Sequence, residues 1–153
     1  MTLVKRKVSR DHQPMLIKLK VREDQSRFVA PNEVTFAEAT KEPGSHIWGL
    51  WVSEMPVGLL AMINPKEGAV LEEGDDPSAA YIWRLMIGEK HQKKGYGKAA
   101  LSLAIDQARE WGLPRICLSV VDGPLSALTL YEILGFIRTG RLVEGEIEMS
   151  LDT

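Results

Sequence analysis

Between Gly88 and Gly97 the sequence "GEKHQKKGYG" holds three glycines and three lysines, and Lys98 then leads into the small apolar run "AAL". A loop that is basic, nearly free of bulk and joined directly to a helix can turn several backbone N–H groups toward one point. The helix macrodipole adds partial positive charge there, which suits a phosphate or diphosphate. Gly95 and Gly97 matter because a side chain would hold an anion off the backbone. On this reading Lys93, Lys94 and Lys98 add charge around the rim. Lysines alone would describe an ordinary solvated loop; the succession of strand, basic glycine loop and amphipathic helix favours an anion cradle.

Two familiar phosphate loops are excluded. A P-loop requires Gly-Lys-Ser/Thr with a glycine further upstream, whereas Gly97-Lys98 is followed by Ala99 and position 92 is Gln. "GYGKAA" matches G-x-G-x-x-G/A formally, but the charged segment "GEKHQKK" separates it from the strand. Too little chain follows Asp122 to complete a doubly wound sheet.

The elements that must position this loop follow from periodicity and breakers. Residues 3–8 give a weak edge strand, "PMLIKL" a first-turn proline helix, and "APNEVTFAEATKEPG" a second short helix. In that second helix Asn32 is expected as cap and Val34, Phe36 and Ala37 as the apolar side. "HIWGLWV" and "VGLLAMI" read as a hairpin around "SEMP", with Trp48, Trp51 and Trp83 expected on strands as packing residues. An acidic, Gly/Pro-rich excursion then precedes the apolar strand "AAYIWRLMI". From Gly95 to Trp111 the spacing predicts a helix burying Leu101, Ala104, Ile105 and Ala108. "RICLSVV" is a strand. "DGPLSALTLYEILGF" is a helix with Pro124 near its start, Gly135 at its C-cap and Ala127, Leu130, Tyr131 and Leu134 on one face. The tail reads as two strands around a glycine turn. The order β-α-α-β-β-β-α-β-α-β-β implies one mixed α/β domain over residues 1–153.

Composition bounds the class. The chain has 153 residues, a formal net charge of −2 and a single cysteine. That balance argues against a nucleic-acid partner, and a lone Cys117 fits a reducing, cytoplasmic setting. No run approaches a membrane span, and the N-terminus lacks a signal-peptide core. His12, His46 and His91 have no ligand spacing, so no metal is expected.

The stretch "LMIGEKHQKKGYGKAAL" resembles the acetyl-CoA-binding motif Q/R-x-x-G-x-G/A of the GNAT N-acetyltransferase superfamily, here Gln92-Lys93-Lys94-Gly95-Tyr96-Gly97. "ALTLYEILGF" is similar to the family's second motif, and the element order agrees over most of the chain. "RFVAPNEVTFAEA" and "TGRLVEGEIEMSL" look similar to bacterial spermine/spermidine and diamine acetyltransferases. The resemblance implies the GNAT (acyl-CoA N-acyltransferase) fold, acetyl-CoA as cosubstrate and direct attack of a small-molecule amine on the thioester. It implies that Leu85, Met86 and Ile87 line the pantetheine arm between two splayed strands, and that Tyr131 protonates the departing thiolate. By spacing alone Tyr131 serves equally as a core aromatic. Cys117 reads as a buried strand residue rather than a nucleophile.

No general base stands out among Glu33, Glu38, Glu72, Glu73, Asp75, Asp76, Glu144, Glu146 and Glu148; each alone reads as a surface acid. Glu146 and Glu148 share a strand face, and together the acids would form a negative funnel for a polycation. The family's helix-start asparagine is replaced here by Pro124, which leaves that cofactor contact absent or supplied by Ser126. An acceptor other than a polyamine (a protein N-terminus, lysine or aminoglycoside) and a noncatalytic acyl-CoA-binding module both stay open. A homodimer through the terminal strands is a further expectation of the resemblance.

Overall fold

In the computed structural model, residues 2–26, 29–123 and 126–153 are described. Pro124, expected near a helix start, and the Arg27-Phe28 opening of one matching segment lie outside them.

Eleven elements follow in the order read from the sequence: β1 (Leu3–Lys7), α1 (Gln13–Ile17), α2 (Asn32–Ala39), β2 (Ser45–Val52), β3 (Met55–Ile63), β4 (Ala79–Ile87), α3 (Tyr96–Glu110), β5 (Arg115–Val120), α4 (Leu128–Ile133), β6 (Ile137–Val143) and β7 (Glu146–Asp152). Single 3-10 turns at Glu23–Gln25 and Glu89–His91 complete the connections. The strands form one seven-stranded sheet in the order β1-β2-β3-β4-β5-β7-β6. Every neighbouring pair is antiparallel except β4 and β5, which run parallel because α3 crosses between them.

Helix α3 forms where Gly95, at φ +82°, starts it and Gly112 ends it, with Ala100, Leu101, Ala104, Gln107 and Ala108 buried along one side. Gln107 is tolerated inside because Lys5 Nζ donates to its Oε1 at 2.7 Å. That side packs with Leu60, Met62, Ile82, Ile116, Leu118 and Met149 into the main core. Full burial of a leucine such as Leu101 contributes about 2 kcal/mol. The other sheet face carries a smaller core of Leu16, Leu59 and Met86 beneath α1 and α2.

Two sequence expectations are corrected. Asn32 does not cap α2. Pro31 occupies that position, and Asn32 is 2% exposed with Nδ2 donating to the Leu16 carbonyl at 2.7 Å. Val34 and Ala37 face solvent, while Thr35 is buried and Phe36 packs inward. The tie from Asn32 to α1 rotates the helix against its apolar pattern. Asn32→Ala removes that bond from a dry site and should cost about 1–2 kcal/mol. Thermal melting should show a drop of roughly 2–8 °C; an unchanged midpoint would mean the amide contributes nothing net. In α4 the helix starts at Leu128, which is buried, and Leu130 is 37% exposed rather than inward.

Candidate active site

Strands β4 and β5 pair only from Ala79↔Arg115 to Ile82↔Leu118. Beyond that point β4 follows β3 to Ile87 and β5 follows β7 to Val120. The separation has a local cause. Against β3, Arg84 opposes Ala61 and Ile82 opposes Met62, so Trp83 is an extra residue. Such a bulge bends a strand and raises its twist. It also resets which side chains face α3: Ile82 before it, Leu85 and Ile87 after it. The edges of β4 and β5 therefore diverge around a wedge.

That wedge opens into a cavity of about 980 Å³. Of the residues singled out by sequence, Leu85, Met86, Ile87, Gln92, Lys93, Gly95, Tyr96, Gly97, Lys98, Ser126 and Tyr131 all line it; Lys94 does not. The loop at its mouth is held from behind. Gln92 Nε2 donates to the Ile87 carbonyl and to Gln25 Oε1, each at 2.9 Å, clamping the loop to the end of β4. Lys93, at φ +62°, and Gly95 adopt left-handed conformations two residues apart. Alternation of this kind makes concave runs of N–H groups. Among the described residues, no carbonyl or side chain accepts from the seven amides of Gln92 through Lys98, and the first helical bond is from Ala99 to the Gly95 carbonyl. Cβ atoms added at Gly95 or Gly97 would meet nothing within 4 Å. His91 lines the cavity beside them, its imidazole pKa lowered by burial and then by Lys94 and Lys90. The loop is thus electropositive, open and without internal partners, a fit for the diphosphate of an acyl-thioester carrier.

Tyr131 stands between the core and the cavity. It packs against the main core, tilted on Phe136 with ring centroids 5.8 Å apart, and it borders the cavity. Burial pushes its phenol up to about 12. Cys117 is buried on β5, and burial, then Glu148, push its thiol up to about 12, which leaves it protonated and unreactive. Trp48 and Trp51 are core residues, whereas Trp83 borders the cavity and donates from Nε1 to Ser45 Oγ at 3.2 Å.

The opposite end of the cavity is acidic. Glu148 is 8% exposed, unlike the surface acid its sequence context predicts. Thr139 Oγ1 donates to it at 3.0 Å and Arg141 Nη1 at 3.2 Å. Arg141 also donates to Asp75 Oδ1 at 2.8 Å and to the Glu73 carbonyl, strapping the acidic excursion to β6. Asp76 is held below the usual carboxylate range by its hydrogen bond from Arg115. Glu38, on α2, pairs with Arg84. Glu72, Glu144 and Glu146 line the cavity with no cationic partner among the described residues. Sequence reasoning missed Arg141 and Tyr81. Tyr81 had one signal, a phenol in an otherwise apolar strand; Arg141 had none.

Comparison with known proteins agrees with this geometry. Residues 12–136 match the acetyltransferase (GNAT) family model. Human N-acetyltransferase 8 is 28% identical over 100 residues, covering 65% of this chain but only 42% of that protein, so the chain spans less than half of that relative's length. The Bacillus subtilis spermine/spermidine N(1)-acetyltransferase is 28% identical over 138 residues, 88% of each chain. Among solved structures, the aminoglycoside acetyltransferase AAC(6')-Ib with ribostamycin and coenzyme A superposes with a TM-score of 0.80 at 15% identity, covering 99% of this chain and 94% of that one. A split β4–β5 pair, a basic loop opening α3 and a match over most of its length place this chain in the acetyltransferase (GNAT) family.

Proposed function

We propose that the protein is an acetyl-CoA-dependent N-acetyltransferase acting on a primary amine, a polyamine or diamine such as spermidine. The observation that carries this reading is the run of seven unpartnered amides from Gln92 to Lys98 at the head of α3. In the reaction these amides hold the diphosphate of acetyl-CoA, with Lys93 and Lys98 at the groove wall and Lys94 contributing charge from outside it. Backbone groups of Leu85, Met86 and Ile87, on the free edge of β4, align the pantetheine arm and polarise the thioester carbonyl. Ser126 stands where it can supply a polar contact to the same cosubstrate. As the amine nitrogen bonds to the thioester carbon and the C–S bond breaks, Tyr131 gives its proton to the leaving sulfur; the nitrogen sheds its proton to water, and Tyr131 is reprotonated from water.

The polyamine choice is supported by charge and by likeness. The cavity is basic at its loop end and acidic at the other, so a thioester anion and an amine cation are drawn to opposite ends. Glu72, Glu144 and Glu146 are available to trailing ammonium groups. The Bacillus subtilis spermine/spermidine enzyme is a relative matched over 88% of both chains. Among the described residues no helix is long and apolar enough to cross a membrane. The test is a panel of amines assayed with acetyl-CoA by thiol release. Spermidine, spermine or a short diamine should be turned over; turnover confined to a peptide N-terminus or an aminoglycoside would reject the substrate, and no turnover would reject the activity.

A further inference from the structure

We propose that the buried hydroxyl of Tyr81 receives the acceptor's amine nitrogen, with Glu148 and Glu146 forming a carboxylate wall beside it; the proposal rests on the transferase reading above. Tyr81 stands on β4 two residues before the bulged Trp83, in register with Cys117 on β5, one pair from the point where the two strands part. Ile82, Leu118 and Met149 belong to the core beneath α3. Alternation therefore turns Tyr81, Ser119 and Glu148 to the opposite face, where the cavity lies. A thioester lying along the free edge of β4 would reach its vertex beside this phenol.

Tyr81 Oη is buried and has no hydrogen-bond partner among the described residues. After burial, the nearby Ser119 hydroxyl has the largest influence and favours the ionised form, yet the two hydroxyls do not meet hydrogen-bond geometry. Ser119 Oγ is directed instead toward Glu146 Oε1 at 3.5 Å. Glu148 is already engaged by Thr139 and Arg141. The phenol is left unsatisfied, as are Arg84 Nε and His91 Nδ1 elsewhere on the cavity lining, and a buried unpaired hydroxyl is a destabilising feature unless something completes it. Burial raises its pKa to about 12, with Glu148, Cys117 and Glu146 adding to the shift, so it remains a neutral phenol. Its oxygen can accept one N–H of an uncharged amine. That contact fixes one N–H and leaves the nitrogen lone pair free to point at the thioester carbon. Nearby carboxylates favour the approach of the cationic form from solvent, which gives up its extra proton to water before the neutral nitrogen engages the phenol.

Tyr81→Phe removes only this oxygen. In thiol-release assays with spermidine it should raise the amine KM by roughly 5- to 10-fold, the worth of one neutral hydrogen bond, with acetyl-CoA affinity by calorimetry unchanged. Spermidine added to the wild-type protein saturated with coenzyme A should also perturb the tyrosine absorbance, and the perturbation should vanish in Tyr81→Phe. An unchanged amine KM in the variant, or a wild-type spectrum that spermidine leaves unaltered, would overturn the inference; the second readout needs no variant to fold. Wild-type protein that acetylates no amine would bring down the transferase reading and this inference together. Ready turnover with an indifferent Tyr81→Phe would remove this inference alone.

Discussion

Tyr131→Phe should lower kcat by about 10²-fold, the usual contribution of one positioned proton donor, while the acetyl-CoA dissociation constant stays where it was. The variant keeps the ring, its tilt on Phe136 and its place against the core, so the change isolates the hydroxyl. A phenol at about 12 would be a poor partner for a thiolate in water, where thiols titrate near 8.5. The cleft alters both. Cys117, a thiol bordering the same cavity, is itself raised to about 12, chiefly by burial. Burial likewise disfavours a bare thiolate at the leaving sulfur, which makes that sulfur a better proton acceptor than it is in water. The direction of the shift also sets a pH expectation. A tyrosine raised above 10 keeps its proton to higher pH, so kcat should show no alkaline decline centred at pH 10 from this residue. A kcat within twofold of wild type would remove Tyr131 from proton delivery and leave it a packing residue.

The strands, their hairpins and α3 were legible because each is bounded by a breaker and carries one period of apolar residues. Gly95, Gly112 and the apolar run "AAYIWRLMI" needed no tertiary information. The inward face of α2 did. Its sequence offers Val34 and Ala37, but Asn32 reaches the carbonyl of Leu16, a residue on a different helix, and that bond fixes the rotation. The basic loop was legible as chemistry, since glycine, lysine and a helix start imply anion binding wherever they occur together. Lys94 was read as part of the rim, yet the left-handed turn at Lys93 leaves it off the cavity wall. The acidic end was least legible. Arg141, Asp75 and Glu148 meet because β7 inserts between β5 and β6 and carries Glu148 across from Ser119. Nothing in the spacing of those three residues announces the insertion. The bulge at Trp83, which opens the cleft, likewise depends on pairing with β3 and has no sequence mark of its own.

The loop itself is best tested at Gly97 rather than at Gly95. Gly95 holds φ +82°, so any side chain there strains the backbone and confounds affinity with stability. Gly97 lies inside α3, away from the left-handed region, and an added Cβ meets no protein atom within 4 Å. Gly97→Val should therefore fold, with a melting midpoint within about 2 °C of wild type, because the helix-propensity gain over glycine offsets the stiffness of a branched side chain. The same branch would stand in front of the amides of Tyr96, Gly97 and Lys98. An anion kept from even one or two charge-assisted N–H bonds loses roughly 1.5–3 kcal/mol, a weakening of acetyl-CoA binding of about 10- to 100-fold. Calorimetry on the free protein reads this directly, and kcat at saturating acetyl-CoA should change far less, because the proposed orientation puts the reacting atoms at the vertex near Ile82, away from Gly97. Tight binding retained by a folded Gly97→Val protein would show that the diphosphate rests elsewhere. The unpartnered amides would then need another explanation, and the orientation of acetyl-CoA in the cleft would have to be reversed or abandoned.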